Sequence, residues 1–98
     1  MSTPKGPLRG SGNKFMYYVY ILKSCVRDRY YIGCTSNLEK RVVAHNLGGT
    51  RSTKPYRPWK LIYSENFLDK HEAYKREWYL KHPSGYLEKI KIIKGGVA

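Results

Sequence analysis

Hydrophobic and polar residues alternate with a period of two along the stretch from residue 16 to residue 24, and this pattern predicts a β-strand. A turn near Arg27 and Asp28 separates it from a second stretch with the same period, Arg29–Thr35. Two such stretches joined by a short turn predict an antiparallel hairpin.

The two faces of this hairpin differ in chemistry, because side chains of alternate parity point to opposite sides of a strand. If Tyr20 lies opposite Thr35, one face is apolar and is expected to form the core. That face carries Val19, Ile21, Tyr30, Ile32 and Cys34. The other face is polar and aromatic and carries Tyr18, Tyr20, Arg29, Tyr31, Gly33 and Thr35. The glycine on this second face leaves room for a ligand to approach the backbone.

The rest of the chain predicts three helices and one more strand. Ser36 with Glu39 predicts a helix start with the serine as N-cap, and Gly48 predicts its end just after Leu47. The later elements are a basic loop over residues 49–58, a strand over 59–65, a helix capped by Asp69 and ended by Pro83, and a last helix after Ser84. The order ββαβαα predicts one small α+β domain over residues 16–94. Residues 1–15 are expected to be a disordered basic leader, and residues 95–98 a flexible tail.

Charge is the first indication of function. Lys and Arg number 19 against seven acids among 98 residues, which gives a net charge of +12. Such an excess predicts a polyanionic partner, and DNA or RNA is the commonest one. A membrane is not expected, because no long helix with a basic face opposite an apolar face is present. A basic surface that serves only solubility is the alternative.

Cys25 and Cys34 are not expected to form a disulfide. In the predicted hairpin they lie roughly 13 Å apart, whereas a disulfide requires Cα atoms within about 7 Å of each other. Reduced thiols suit a cytoplasmic protein. The N-terminus lacks the apolar run of a signal peptide.

Polar residues at inward helical positions are candidates for chemistry, because buried charge is costly unless it is paired or used. In the first helix, Arg41 and His45 lie one turn apart beside its apolar positions. In the second, Glu77 lies between Ala73 and Leu80 and is the only carboxylate on that stripe. These three side chains are expected to face the sheet side that carries the tyrosines. An Arg41–Glu77 salt bridge that only joins the helices is the structural alternative.

Two other features have ordinary structural explanations. Tyr74 and Trp78 form an aromatic stripe at helical spacing, for which packing is the default expectation. Arg51, Lys54 and Arg57 lie on the basic loop, which could be a solvated charge run.

Four motifs in this order resemble those of the GIY-YIG nucleases. Tyr18–Tyr20 and Tyr31–Gly33, which ten residues separate, resemble the two-part signature. Leu38–Asn46 is similar to the next motif of that family, and Glu72–Trp78 to its metal-binding helix. The likeness covers residues 16 to about 93. Segments between residues 45 and 83 also resemble the corresponding domain of nucleases that cut branched DNA.

The resemblance implies a three-stranded antiparallel sheet flanked by helices and metal-dependent cleavage of phosphodiester bonds. It implies catalytic roles for Tyr20, Tyr31, Arg41 and Glu77, with His45 as a frequent helper in catalysis. Two departures from the family pattern are visible. Tyr18 replaces the first glycine of the signature, and no asparagine follows Asn66, where many members carry one after the metal-binding glutamate.

Roles follow from the chemistry that each residue can perform. Glu77 is the expected ligand of Mg²⁺, or of Mn²⁺, because magnesium takes few carboxylates and keeps its waters. Arg41 would stabilise charge on the phosphate in the transition state. Tyr20 is the expected general base, with its pKa lowered by Arg41 and the metal, and Tyr31 and His45 are the alternatives for this role. Tyr31 would orient water or phosphate, and His45 would relay the proton.

Binding of DNA is assigned to Arg29, Arg51, Lys54 and Arg57, which are expected to contact phosphates. The substrate is expected to be DNA, with branched or damaged structures as candidates and repair as the setting. The main alternative is a non-catalytic DNA- or RNA-binding module that uses the same basic, tyrosine-rich face and does not need Glu77. A helper subunit of a larger assembly is the third interpretation.

Overall fold

The computed structural model describes residues 16–95. Within them the elements are β1 (Tyr17–Ser24), β2 (Tyr30–Thr35), α1 (Leu38–Asn46), β3 (Trp59–Phe67), α2 (Lys70–Lys81) and α3 (Tyr86–Gly95). This order confirms the predicted α+β class. The expected leader and residues 96–98 of the expected tail lie outside the described residues, while Gly95 is the last residue of α3. Across residues 16–95, no helix is long and apolar enough to cross a membrane.

The three strands form one antiparallel sheet in the order β2-β1-β3. Tyr20 pairs with Gly33 on β2 and with Ser64 on β3, and Thr35 pairs with Tyr18. The expected pairing of Tyr20 with Thr35 is therefore wrong by two residues. Because a shift of two preserves parity, the division of side chains between the two faces is nevertheless as predicted.

Helices cover both faces of the sheet. On one face, Val19, Ile21 and Ile32 form the main core with Ala73 and Leu80 of α2. On the other face, a second core contains Tyr20, Leu22 and Trp59, with Leu38 and Val42 of α1 packed against it. The expected core residue Tyr30 instead lies at the sheet edge, 36% exposed, with the Lys23 amine 5.5 Å from its ring.

The expectation that α1 and α2 pack on the same sheet face is wrong. The apolar stripe of α2 covers the face opposite Tyr20, where Ala73 and Leu80 are fully buried. Hydrophobic spacing identifies the inner side of a helix but not the sheet face it covers, since both faces of this sheet offer apolar side chains. Glu77 nevertheless lies near the tyrosine side of the sheet. It forms an ion pair with Lys81, one turn along α2, and the Lys81 amine lies over the ring of Tyr31 on β2.

Helix α1 has well-defined ends. Asn37, not Ser36, is the N-cap, and its side chain accepts a bond from the Lys40 amide at 3.1 Å. Thr35 Oγ1 accepts from the Asn37 amide at 3.1 Å, and this turn moves the helix start one residue onward. At the other end Gly48 has φ of 87°. The amides of Gly48 and Gly49 donate to the carbonyls of His45 and Ala44, a Schellman arrangement that confirms the predicted stop.

The basic loop over residues 49–58 is fixed to the domain by side chains at its two ends. Asn46 Nδ2 donates to the Trp59 carbonyl at 3.1 Å, and Asn46 Oδ1 accepts from the Trp59 amide at 2.6 Å. The Trp59 indole donates to the Thr53 carbonyl at 2.8 Å. Ser24 donates to the Tyr56 carbonyl at 2.8 Å. These bonds attach the loop to β1 and β3, next to the β1–β2 turn.

A charge cluster joins β3, α2 and α3 on the side of the sheet away from Tyr20. Arg76 donates to both oxygens of Glu65 at 2.8 and 2.7 Å, and to Glu88 at 2.6 Å. Tyr63 also donates to Glu65. These side chains are half-buried, so their mutual hydrogen bonds replace water that the fold removes.

Candidate active site

Tyr20 lies at the centre of the site and begins a chain of hydrogen bonds. Its hydroxyl is 3.0 Å from Nε2 of His45, and Nδ1 of His45 is 2.9 Å from Oγ1 of Thr53. Thr53 Oγ1 in turn donates to the Thr50 carbonyl at 3.3 Å. Tyr20 and His45 are 1% and 0% exposed, so water does not compete for these bonds.

The chain has a defined direction. The Thr50 carbonyl can only accept, so the Thr53 hydroxyl proton is used there and Oγ1 must accept from His45 Nδ1–H. A neutral imidazole carries a single N–H, so Nε2 of His45 accepts from the Tyr20 hydroxyl. Burial and the charge of Arg41 lower the pKa of His45, which keeps this imidazole neutral at pH 7. His45 is therefore placed to receive the proton of Tyr20.

The pKa of Tyr20 differs from the expectation. Burial raises the pKa of this phenol well above its ordinary value, and the Glu77 charge raises it further. Arg41 acts in the predicted direction and lowers the pKa, but its effect is smaller than that of burial. Tyr20 is thus a protonated hydrogen-bond donor at neutral pH.

Gly33 makes room for Tyr20. A Cβ built on Gly33 would lie 2.6 Å from Cζ of Tyr20 and 3.0 Å from Cε2 of Tyr31. The expectation that this glycine admits a ligand is wrong, because the Tyr20 ring already fills the space across the strand pair. Any larger residue at position 33 would displace the ring from His45.

Tyr31 and Arg41 border the more exposed side of the site. The Tyr31 ring is half-buried, with its centroid 6.2 Å from the Tyr20 ring and 4.8 Å from the His45 ring. Arg41 is exposed and borders a surface cavity of about 500 Å³ at the start of α1. This cavity is lined by Thr35, Ser36, Asn37, Lys40, Arg41 and Ala44. The two tyrosines therefore share a face, as predicted, and Arg41, whose charge acts on Tyr20 and His45, also borders this cavity.

Glu77 completes the set of predicted residues. Its side chain is 21% exposed and pairs with Lys81 at 2.9 Å, not with Arg41. Its negative charge raises the pKa of both Tyr20 and Cys34, so it lies within electrostatic range of the site. The salt bridge between Arg41 and Glu77 that defined the structural alternative is not formed.

Glu77 is the one residue predicted to bind a metal, and its carboxylate would supply hard oxygen atoms. Among residues 16–95, no group of three or more His, Cys, Asp and Glu side chains could enclose a metal. One carboxylate with open surroundings suits Mg²⁺, which is commonly held by one or two carboxylates, by water and by substrate phosphate. It does not suit zinc, which requires three or four protein ligands.

The residues predicted to bind nucleic acid lie together. Arg51, Lys54 and Arg57 are exposed on the basic loop. The Arg29 guanidinium lies 4.6 Å from the centroid of the Tyr56 ring, which joins the β1–β2 turn to that loop. Because Thr53 of the same loop contacts His45, this basic surface is next to the tyrosine site.

Sequence reasoning missed two residues that position the site. Thr53 was one polar residue among several in a loop, and nothing in its spacing indicated a contact with His45. Asn46 ends α1, and its amide pairs with the Trp59 backbone thirteen residues later. No local sequence signal predicts either contact, because both depend on how the loop folds back.

Comparisons with known proteins give a consistent result. The GIY-YIG catalytic domain family matches residues 16–91. A UPF0213 protein of Clostridium perfringens is 52% identical over 67 residues, covering 67% of this chain and 71% of the relative. A UPF0213 protein of Staphylococcus haemolyticus is 43% identical over 79 residues, covering 80% of this chain and 94% of the relative. The solution NMR structure of a UPF0213 protein from Bacillus halodurans is similar, with a TM-score of 0.51 and 32% sequence identity. The match covers 84% of this chain and 88% of the other.

Proposed function

This chain belongs to the GIY-YIG catalytic domain family, and on that premise we propose that it is a metal-dependent endonuclease that hydrolyses DNA phosphodiester bonds. One observation carries the proposal: the Tyr20 phenol donates to a neutral buried histidine, and the charges of Arg41 and Glu77 both act on it. Branched and damaged DNA are the candidate substrates, and repair is the proposed setting.

Glu77 is the proposed ligand for Mg²⁺, or for Mn²⁺. A bound divalent ion would polarise the phosphate and stabilise the leaving oxygen. Glu77 can turn from Lys81 to a metal at small cost, since their ion pair is partly exposed and such pairs contribute little to stability. The remaining ligands would be water and the substrate phosphate.

Tyr20 and His45 are proposed to move the proton. As Tyr20 accepts a proton from the attacking water, its own proton would pass along the existing bond to His45 Nε2. The low pKa of His45 opposes this transfer in the free protein. A phosphate beside Arg41 would offset the positive charge that contributes to the low pKa, so substrate binding would favour the transfer.

Arg41 and Tyr31 are proposed to hold the substrate. Arg41 is exposed and carries no side-chain ion pair within the described residues, so its guanidinium is available to a phosphate in the cavity that it borders. The Tyr31 ring lies 4.8 Å from the ring of the buried His45, and its hydroxyl could orient water or phosphate. Arg29, Arg51, Lys54 and Arg57 would contact the DNA backbone on either side.

The test compares Glu77→Gln with Glu72→Gln. Both substitutions remove one carboxylate from the same helix, but Glu72 is exposed and pairs only with Lys75, at 3.7 Å. The variants and the unmodified protein are incubated with duplex, single-stranded and branched DNA, in Mg²⁺ or in EDTA. We expect cleavage by the unmodified protein and by Glu72→Gln in Mg²⁺ alone. Glu77→Gln should bind DNA as well or better, because a charge that repels phosphate is gone, and should not cleave it.

The same experiment separates the nuclease from the main alternative. A non-catalytic DNA- or RNA-binding module would bind in Mg²⁺ and in EDTA and would leave every substrate intact. If Glu77→Gln cleaves DNA at the unmodified rate in excess Mg²⁺, the assignment of the metal site is wrong.

A further inference from the structure

The outer side of α2 presents aromatic rings to solvent. Tyr74 and Trp78 lie one helical turn apart and are 50% and 57% exposed. Their spacing predicted packing, but the buried residues of α2 are Ala73 and Leu80, on its other side. We call Tyr74, Trp78 and His82 the α2 aromatic surface. Large exposed aromatic groups of this kind commonly mark a binding surface.

The Trp78 ring is held in place before any ligand arrives. The His82 ring stacks on it with centroids 3.6 Å apart and an angle of 25° between the planes. His82 Nδ1–H donates to the Trp78 carbonyl at 3.1 Å, which fixes the imidazole. One indole face is therefore covered by a fixed neighbour, and the exposed part of the ring is presented to solvent. A ring fixed in this way loses little conformational entropy on binding.

A concave space and positive charge surround these rings. A cavity of about 520 Å³ is lined by His71, Tyr74, Lys75, Trp78 and Tyr79, and its lining is almost wholly apolar. The amine of Lys70 lies 5.8 Å from the centroid of the Tyr74 ring. Lys81 follows Trp78 by less than one turn and is exposed. The surface thus offers flat apolar faces bordered by lysines.

We propose that the α2 aromatic surface binds a DNA strand with unpaired bases, by stacking bases on Trp78 and Tyr74 while the lysines contact phosphates. Aromatic rings within a positively charged groove are the usual means of binding single strands. Four residues of helix advance by about 6 Å, whereas successive bases along one strand of a duplex are about 3.4 Å apart. The two rings therefore start from backbone positions that are further apart than stacked bases, which suits bases that have left the continuous stack.

The α2 aromatic surface adjoins the candidate active site. Trp78 follows Glu77 directly, and Lys81, which pairs with Glu77, lies over the Tyr31 ring at 6.0 Å from its centroid. A strand held on Trp78 would therefore pass beside the proposed metal ligand. The inference takes DNA as the ligand from the proposed function, but it concerns binding alone and does not require cleavage.

Tryptophan fluorescence tests the proposal directly. The chain has two tryptophans, and Trp59 is buried at 5% exposure, so a ligand that stacks on Trp78 quenches mainly the exposed one. The protein is titrated in EDTA with a short oligothymidylate and, separately, with duplex DNA. We expect quenching by the oligothymidylate that is absent in Trp78→Phe. Trp78→Ala should weaken oligothymidylate binding by roughly 5- to 150-fold, the value of one stacked base, and duplex binding much less.

Two further variants guard against indirect effects. Tyr86→Ala is the matched control, because Tyr86 is 54% exposed on α3 with the Lys89 amine 5.7 Å from its ring. It should leave oligothymidylate binding unchanged. Tyr74→Ala should weaken it, although less than Trp78→Ala does. Circular dichroism establishes that each variant is folded, and its thermal unfolding is compared with that of the unmodified protein.

Three results would overturn the proposal. The first is equal oligothymidylate affinity for Trp78→Ala and the unmodified protein. The second is a loss of the same factor for duplex and single strand. The third is quenching that grows with protein concentration without DNA, which would show that a second copy covers this surface. Absence of cleavage in Mg²⁺ would instead count against the endonuclease and would leave Trp78-dependent binding standing.

Discussion

At the scale of single residues, the site depends on which atoms carry protons. Tyr20 holds its proton because burial raises its pKa, and His45 is neutral because burial and Arg41 lower its own pKa. Thr53 determines which imidazole nitrogen is free, since its oxygen accepts from Nδ1–H. The hydrogen-bonded pair that we propose as the general base and its proton acceptor is therefore already in place in the free protein.

Tyr20→Phe removes the hydroxyl that donates to His45 and changes the packing of the ring little. If Tyr20 is the general base, the cleavage rate should fall by roughly 10²–10⁴, the usual contribution of such catalysis, while DNA affinity stays nearly constant. Tyr30→Phe is the matched control, because Tyr30 lies on the same hairpin but on its other face and is exposed. Single-turnover cleavage rates measure the effect. A reduction of less than tenfold would transfer the role of base to Tyr31 or His45.

Thr53→Val tests the positioning of His45. Valine cannot accept from Nδ1–H, so the imidazole should shift its proton to Nε2 and lose its capacity to accept from Tyr20. We expect kcat to fall by roughly 5- to 150-fold, the range for one unsatisfied buried donor, with KM little changed. The pH profile of kcat should change, and Thr53→Ser should restore both. A Thr53→Val variant whose pH profile and kcat match the unmodified protein would exclude this role.

At the scale of elements, alternation and capping signals located the strands and helices. Period-2 patterns gave β1, β2 and β3, and Asp69 caps α2 as predicted, accepting from the His71 amide at 3.0 Å. The sorting of Tyr20 and Tyr31 to one face was also correct, because it depends only on parity.

Other features of the fold could not be obtained in this way. The strand register was wrong by two residues, because every shift of two satisfies the same parity. The face covered by α2 was wrong, since its apolar stripe fits either side of the sheet. The cluster of Arg76 with Glu65 and Glu88 joins residues eleven and twelve positions apart. Such interactions between elements leave no periodic trace in a single sequence.

The basic loop supplies a prediction at this scale. Replacing Arg51, Lys54 and Arg57 by glutamine should weaken DNA binding to a similar degree for every duplex sequence, because phosphate contacts carry no sequence information. The slope of log K against log salt concentration should become shallower by about 0.9 for each phosphate that the loop no longer neutralises. Binding isotherms over a series of salt concentrations measure both quantities.

The control for this experiment removes equal charge elsewhere. Lys89, Lys91 and Lys94 lie on α3, which packs with α2 on the side of the sheet away from the tyrosine site. Their replacement by glutamine should change the salt slope much less. Weaker binding to one DNA sequence alone after the loop substitutions would indicate base readout instead of phosphate binding.

At the scale of the whole molecule, the Arg76 cluster links stability to pH. The Arg76 guanidinium holds the pKa of Glu88 below its ordinary value. As pH falls, the Glu88 carboxylate therefore becomes protonated at a higher pH in the unfolded chain than in the folded protein. The stabilisation that ionised Glu88 gives the fold is fully present above the ordinary pKa range of carboxyl groups. It is lost as pH falls through the pKa of Glu88 in the folded protein.

Glu88→Gln should consequently destabilise the protein at pH 7, and the difference from the unmodified protein should shrink towards about pH 3, below the usual carboxyl range. Urea unfolding at a series of pH values measures the free energies. Glu72→Gln serves as the surface control, because its exposed pair with Lys75 is expected to contribute little. A difference that stays constant with pH would mean that Glu88 acts through packing and not through its charge.

The attachment of Thr53 to His45 has a consequence for how this protein can be altered. The basic loop that we propose to bind DNA also holds His45 through Thr53. DNA binding and the positioning of His45 therefore depend on the same segment. Exchanging residues 49–58 for the loop of a relative, in order to change target preference, should disturb catalysis unless the threonine and its backbone bond with Trp59 are retained. Within this small scaffold, substrate choice and turnover are therefore expected to evolve together.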